Sequence, residues 1–345
     1  MEERAVWIFS KLNSYGITSI TTAQLDPMRL NAYRALESKD KLTVRIQGSW
    51  DFNTRYVTTS LAEQAKTFIT REKRGKNSPL VNVDGVKIYL DGVPNDAPGG
   101  APMIDRYATA PSFGNVSIDE PTLSTWMLRF DTAGIKIMAH ATGSLSVRHW
   151  LNAVEAVRRA NGKGPRHHLA HSMLIYPEDV DRFNFERSNF VAEVSPYQLW
   201  VPDPTANYSW AKLIGRDRLE LTFTPLRTII DAGAVVSYGS DWDNVPEPDP
   251  WFALEGMITR QYPGHPEYGQ LNPDERIDRE SAIEVFTRNG AMLMEKEDET
   301  GTIEPGKSAD FIVISQNILE VPVQKIHETK VLQTVLQGHT VYEAK

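Results

Sequence analysis

The chain of 345 residues contains no cysteine. That excludes disulfides, thiolate nucleophiles, iron–sulfur clusters and cysteine-held zinc. It also suits a cytosolic protein, which needs no disulfides. No apolar run approaches the ~20 residues of a membrane-spanning helix, so no membrane association is expected. The opening Met1-Glu2-Glu3-Arg4-Ala5-Val6-Trp7 is acidic and lacks the apolar stretch of a signal peptide. A cytoplasmic location is therefore expected, and the sequons at Asn115 and Asn207 are read as chance matches. Positive charge is in short supply: 37 Lys and Arg against 45 Asp and Glu leave a net charge of −8. No nucleic-acid partner is expected, because such binding depends on neutralising phosphates. No G-x-G-x-x-G follows any apolar run, and no histidine precedes His140.

Short apolar runs are present at 17–22, 42–48, 85–90, 135–139, 168–171, 191–194 and 235–238. Segments of helical periodicity lie between them. The first carries Val6, Phe9, Leu12 and Tyr15 and is ended by Gly16. Others fall near 27–39, 60–73, 120–133, 146–161, 177–185, 217–232 and 279–294. This alternation predicts a parallel sheet with crossover helices. Near-continuous apolar strands are those buried on both faces. Seven strands precede residue 240, whereas a closed (β/α)₈ barrel has eight. The rival, an open doubly wound sheet, lacks its glycine fingerprint. After Met294 a charged turn leads to β-like segments at 309–315 and 331–342, with a hairpin turn expected at Gly338-His339. The expected division is a barrel over 1–294 and part of a small β domain over 295–345.

In parallel α/β barrels the chemistry sits at the C-terminal ends of the strands. Here those ends read Val86-Lys87-Ile88-Tyr89-Leu90-Asp91-Gly92, Met138-Ala139-His140-Ala141-Thr142-Gly143, His167-His168-Leu169-Ala170-His171 and Gly239-Ser240-Asp241-Trp242. Imidazole and carboxylate suit Zn²⁺ and related divalent ions. An ammonium has no lone pair and cannot ligate. A buried lysine that loses its proton can, however, react with CO₂ to give a carbamate, whose two oxygens can bridge two metals. Taken singly, Lys87 reads as a snorkelling side chain, His140 as a core histidine and Asp241 as a turn residue. His167 and His168 compete with His171 for a ligand role. The joint pattern, in chain order and at strand ends, is what carries weight.

These motifs resemble the amidohydrolase superfamily, in particular its amidohydrolase-3 branch of metal-dependent hydrolases. Its pattern runs V-K-[IF]-x-x-D-G, H-A-x-G-D, H-R-x-E-H, G-S-D-x-P and a closing G-x-[IL]-x-P-G-K-x-A-D, the last matched by Gly301 to Asp310. The resemblance implies a (β/α)₈ TIM-like barrel with a partial C-terminal β-sandwich. It implies that Lys87 is a carbamylated bridging ligand and that His140 and His171 hold the second metal. Asp241 would hold the first metal and act as general base. The metal would be Zn, with Mn, Fe or Co as substitutes, and CO₂ would be needed for the carbamate. A water would attack an amide or cyclic amide C–N bond of a small-molecule substrate, with Asp241 passing its proton to the leaving nitrogen.

The departures are specific. The family pattern has a His-x-His at the end of strand one, and here no histidine precedes His140; strand one and the opening half of the small β domain are expected to be missing. Ser144 stands where the pattern has Asp, and Ala170 where it has Glu. Three readings stay open: a truncated enzyme, a mononuclear enzyme using the second site, and a non-catalytic binding or oligomerisation relative. Unpaired strand edges on a seven-strand barrel would favour a homo-oligomer.

Gly301-Thr302-Ile303-Glu304-Pro305-Gly306-Lys307-Ser308 matches a phosphate-binding P-loop letter for letter. A P-loop needs a strand before it and a helix after it. An acidic stretch precedes this one and a strand-like run follows, so it is expected to be a turn. Trp200, Trp210, Trp242 and Trp251 are candidates either for an aromatic substrate pocket or for loop packing. The segment 245–250 is expected to be a rigid loop over the barrel mouth, with Asp243 and Glu247 solvated.

Overall fold

Each apolar run of the first 240 residues becomes one strand of a single parallel sheet. The computed structural model describes residues 1–52, 67, 78–95, 100–202 and 207–345. The strands are β1 (Ser19–Leu25), β2 (Arg45–Asp51), β3 (Val81–Tyr89), β4 (Lys136–Ala141), β5 (His167–His171), β6 (Phe190–Val194) and β7 (Val236–Tyr238). They pair in sequential order, all parallel. Every residue of β5 and β6 is buried, as a strand covered on both faces requires. The order and the intervening helices are those of a TIM-like α/β barrel. Among the described residues β1 and β7 do not pair with each other, so the sheet curls without closing.

Helix starts follow local chemistry. Asp26 accepts a hydrogen bond from the Arg29 amide ahead of the helix Pro27–Glu37, and Asp119 does the same for Thr122 ahead of Glu120–Thr132. Both place proline in the first turn, where its missing N–H costs nothing. Asp249 and Pro250 start a third helix, Pro250–Thr259, in the same way. Residues 245–249 form no helix or strand, as the expected loop requires, and its last residue, Pro250, begins a helix that was not expected. The helix Asn207–Ile214 was likewise not expected.

Two expected helices are broken. Residues 217–232 form Arg216–Thr222 and Leu226–Asp231, interrupted where Thr224 takes φ +44° ahead of Pro225. Residues 279–294 form Arg279–Phe286 and Arg288–Leu293. Residues 177–183 make a tighter 3₁₀ turn instead of an α-helix. The expected helix at 60–73 lies outside the described residues apart from Thr67. No helix among the described residues is long and apolar enough to cross a membrane.

The C-terminal segment forms a three-stranded antiparallel sheet, β8 (Phe311–Ile314), β9 (Val331–Leu336) and β10 (His339–Glu343), with β9 in the middle. The hairpin turn is Gln337-Gly338, one residue earlier than expected. Both take positive φ, +51° and +78°, which matches the right-handed strand twist. The P-loop look-alike leads into β8 and no helix follows it; its Lys307 Nζ bonds the Thr302 hydroxyl at 2.6 Å.

The small sheet is tied to the barrel. Thr334 donates its hydroxyl to the Asn13 carbonyl at 2.7 Å. Arg45, at the start of β2, pairs with Asp310 at 2.6 Å, both almost fully buried. Asp310 also accepts from Thr300, Ser308 and the Gln337 amide. Breaking a buried pair strands a charge, at about 3–5 kcal/mol. Asp310→Ala is therefore expected to destabilise the fold by about 3–5 kcal/mol, read as a lower denaturation midpoint, while Asp310→Asn loses less because it keeps an acceptor oxygen.

Candidate active site

Parallel register brings the expected residues together. Lys87 on β3 is level with Met138 on β4, which is level with His168 on β5. One step toward the strand ends, Tyr89 is level with His140, and Ala141 with His171. Side chains that alternate along a strand keep Lys87, Tyr89, Met138, His140 and Ala170 on the barrel interior. His171 falls out of that alternation and lines the cavity from the strand end, where its φ turns to +73°. Lys87, His140, His171 and Asp241 all line one cavity of about 1640 Å³. It exceeds an ordinary small-molecule pocket because it continues down the open side past Thr300 and Ile312.

The two imidazoles meet edge to face with centroids 4.4 Å apart. His140 Nε2 lies 3.2 Å from the Gly92 carbonyl and 3.3 Å from Asp91 Oδ1. A carbonyl only accepts, so the neutral ring carries its hydrogen on Nε2 and its lone pair on Nδ1. His171 is oriented oppositely. Its Nδ1 lies 2.9 Å from the Ser195 carbonyl, which puts the lone pair on Nε2. Each ring thus has one nitrogen anchored, the arrangement that aims ligand histidines.

Asp91 is the anchor beneath His140. Its carboxylate accepts from the Gly143 amide at 2.7 Å and from the Thr142 amide at 3.1 Å. Burial nonetheless raises its pKa to about 7. Burial also lowers Lys87 to about 8, although Glu193, Asp241, Asp91 and Asp51 act against that. Desolvation raises Asp241, with His171 opposing and Glu193 reinforcing.

Among the described residues, no three of His, Asp and Glu stand together as a metal cage. The set consists of two imidazoles, one carboxylate from the far side of the sheet, and a lysine. Imidazole and carboxylate are donors of the kind divalent ions take, and an ammonium is not.

The three candidates of β5 separate cleanly. His167 is fully buried away from the cavity, against Trp150. Its Nδ1 accepts from the Ile137 amide at 3.2 Å, so Nε2 donates to Asp131 at 3.0 Å. His168 lies 3.6 Å from Glu193. Only His171 lines the cavity.

Glu193 was missed by the sequence reading. The signal was a lone charge inside the apolar Phe190–Val194. Burial would raise it, but His168, His171 and Ser195 bring its pKa down to about 2. Ser144 turns away, accepting from the Ile104 amide at 3.0 Å. Ala170 lines the cavity, as does Glu193 on the next strand.

Trp210, Trp242 and Trp251 line the cavity; Trp200 does not, being fully buried with its Nε1 donating to the Ala253 carbonyl. Glu247 is not simply solvated: it pairs with Lys11 at 2.8 Å and accepts from Tyr15 at 3.1 Å. Asp243 faces the cavity.

Burial lowers the His167 pKa to about 3. The folded ring stays neutral where the unfolded one, near 6.5, takes up a proton. Its contribution to stability is thus full above pH ~6.5 and lost as pH falls toward 3. Nitrogen-15 NMR is expected to show an unprotonated Nε2–H tautomer at pH 5, and His167→Gln is expected to flatten the acid limb of the stability profile.

The chain is similar to YtcJ of Bacillus subtilis strain 168, with 27% identity over 271 residues, 77% of this chain and 48% of that protein. It is similar to the protein LONG AFTER FAR-RED 3 of Arabidopsis thaliana, with 27% identity over 77% of this chain and 44% of the relative. It is 23% identical to the N-substituted formamide deformylase of Arthrobacter pascens, over 99% of this chain and 61% of that enzyme. The chain thus spans about half the length of the first two relatives. A crystal structure of a metal-dependent hydrolase from Pyrococcus horikoshii OT3 superposes with a TM-score of 0.74 at 18% identity, covering 94% of this chain and 62% of that one, and so shares the fold. A family model described as the amidohydrolase family matches residues 1–342, and the chain belongs to that family.

Proposed function

We propose that the chain is a metal-dependent hydrolase of a non-peptide C–N bond, an amide or cyclic amide in a small molecule. The observation that carries this reading is the pair of anchored imidazoles, His140 and His171, sharing one cavity with a lysine whose amine burial has lowered to about 8. His140 and His171 supply neutral nitrogen ligands. Lys87 supplies oxygen once its neutral amine bonds to the carbon of CO₂ and releases a proton to solvent. A bound divalent ion, with Zn the first choice and Mn, Fe or Co compatible with the same donors, supplies Lewis-acid polarisation of the substrate carbonyl and acidifies water.

Asp241 is the general base of this reading. It takes a proton from the attacking water and returns it to the leaving nitrogen as the C–N bond breaks. Burial and the nearby Glu193 keep its carboxyl easier to protonate than an exposed one, which suits a group that must both take and give a proton. Tyr89 stands beside both Lys87 and His140, with its ring 5.0 Å from Nζ and 5.6 Å from the imidazole. With Trp210 and Trp242 it gives the cavity an aromatic wall against which an apolar substituent packs. The N-substituted formamides that name one relative are the first compounds to screen.

Elemental analysis of protein purified without chelator is expected to find about one equivalent of zinc or a similar ion per chain, as a site of this donor type holds, and to find it lost in Lys87→Ala. A carbamate carbon should appear by NMR after exposure to ¹³C-bicarbonate. No metal in either protein would favour the rival reading, a non-catalytic binding or oligomerisation module. Asp241→Asn is expected to keep metal bound through the imidazoles and to lower kcat by about 10²–10⁴-fold, the usual worth of a general base.

A further inference from the structure

We propose that Glu193 is the positioning residue of this site, a single buried carboxylate that sets His171 and the Asp241 turn relative to one another. The proposal rests on the functional reading above. A buried carboxylate in an otherwise apolar strand needs partners to offset its lost hydration, and those of Glu193 are distributed across the site. Oε2 lies 3.4 Å from the His171 amide nitrogen and 3.6 Å from His168 Nε2. Ser195, two residues further along the same chain segment, meets the His171 ring at Nδ1 with both its carbonyl, at 2.9 Å, and its hydroxyl, at 3.1 Å. Glu193 therefore meets the backbone of His171, while the ring is anchored two residues further on by Ser195.

The backbone there is under constraint. His171 and Ser172 take φ of +73° and +45° in succession, and neither is glycine. Such conformations are strained for residues with a side chain and persist only when neighbours impose them. An acceptor for the His171 amide is one such neighbour.

The other side of the carboxylate meets β7. A Cβ built on Gly239 would lie 1.9 Å from Glu193 Oε1 and 2.8 Å from its Cδ. The carboxylate thus occupies the space that a side chain at 239 would take. The end of β7 is pressed against it two residues before Asp241, itself at φ +54°. Lys87 and Glu193 line the same cavity. One side chain therefore meets the His171 amide on one side and, on the other, the end of β7 two residues before Asp241.

The test uses Glu193→Ala, Glu193→Gln, Gly239→Ala and the Glu193→Ala/Gly239→Ala double variant in the full chain, with circular dichroism as the check on folding. Hydrogen exchange at the His171 amide reads positioning directly, and titration with Co²⁺, followed by its visible spectrum, reads the geometry at the ligands. Glu193→Ala is expected to speed exchange at His171 and weaken Co²⁺ binding about 10–100-fold, the usual effect of losing a group that orients a ligand. Glu193→Gln keeps an acceptor oxygen and is expected to restore protection and most of the affinity. Gly239→Ala should reproduce Glu193→Ala by displacing the carboxylate. The double variant should be no worse than either single, because the added methyl then enters vacated space.

Unchanged exchange at His171 in Glu193→Ala, or Co²⁺ affinity within about two-fold of the parent with the same spectrum, would overturn the proposal. Additive losses in the double variant would do the same. Should the parent bind no Co²⁺, the functional reading fails on its own, and exchange at His171 still decides whether Glu193 holds that residue.

Discussion

The register of adjacent parallel strands decides where every candidate side chain ends up. Parallel pairing fixes which residues stand level, and a shift of one residue would turn each inward side chain outward. With Lys87 level with Met138 and Tyr89 level with His140, the lysine enters the barrel one layer below the first imidazole. The residue level with His140 on the next strand is Ala170, and the second imidazole reaches the first at 4.4 Å because the backbone turns to φ +73° at His171. The anchors beneath the rings depend on the same register. Asp91 reaches the Thr142 and Gly143 amides only because β3 ends level with β4.

Burial then does different chemistry at different places in one interior. It lowers Lys87 and raises Asp91, because in each case the charged form is the one that loses water. Glu193 goes the other way, since hydrogen bonds and neighbouring imidazoles outweigh the desolvation. His167, buried outside the cavity, is held neutral by the same desolvation and serves a structural network with Asp131. Three histidines within five residues thus take three different environments, set by which way each side chain leaves the strand.

Much of this was legible in the sequence. All seven barrel strands and the small β segment were, because parallel strands buried on both faces are short apolar runs bounded by polar turns. That Lys87, His140, His171 and Asp241 share one cavity was legible because reading strand ends is a topological test. What was not legible depends on distance along the chain. From the residues alone His167, His168 and His171 stayed in competition and only the resemblance named His171; the partners that claim His167, Asp131 and the Ile137 amide, lie far off in the chain. Glu193 carried a visible signal, a charge in an apolar strand, but its role depends on Gly239 and His171 in neighbouring strands. The helix Pro250–Thr259 was hidden by its prolines, although Asp249 caps it as Asp26 and Asp119 cap theirs.

The junction between the small sheet and the barrel bears on how the chain reaches its fold. Arg45 and Asp310 are separated by 265 positions, and Asn13 and Thr334 by 321. The first helix and the start of β2 therefore acquire their final partners only after the last strands have left the ribosome. During synthesis the Arg45 guanidinium has no carboxylate from Asp310 to meet, and the surface later covered by the hairpin stays wet. Closing so long a loop carries an entropic cost that grows with the logarithm of its length, and distant pairings of this kind slow folding. The hairpin thus acts as a clasp on segments made some 265 to 321 residues before it.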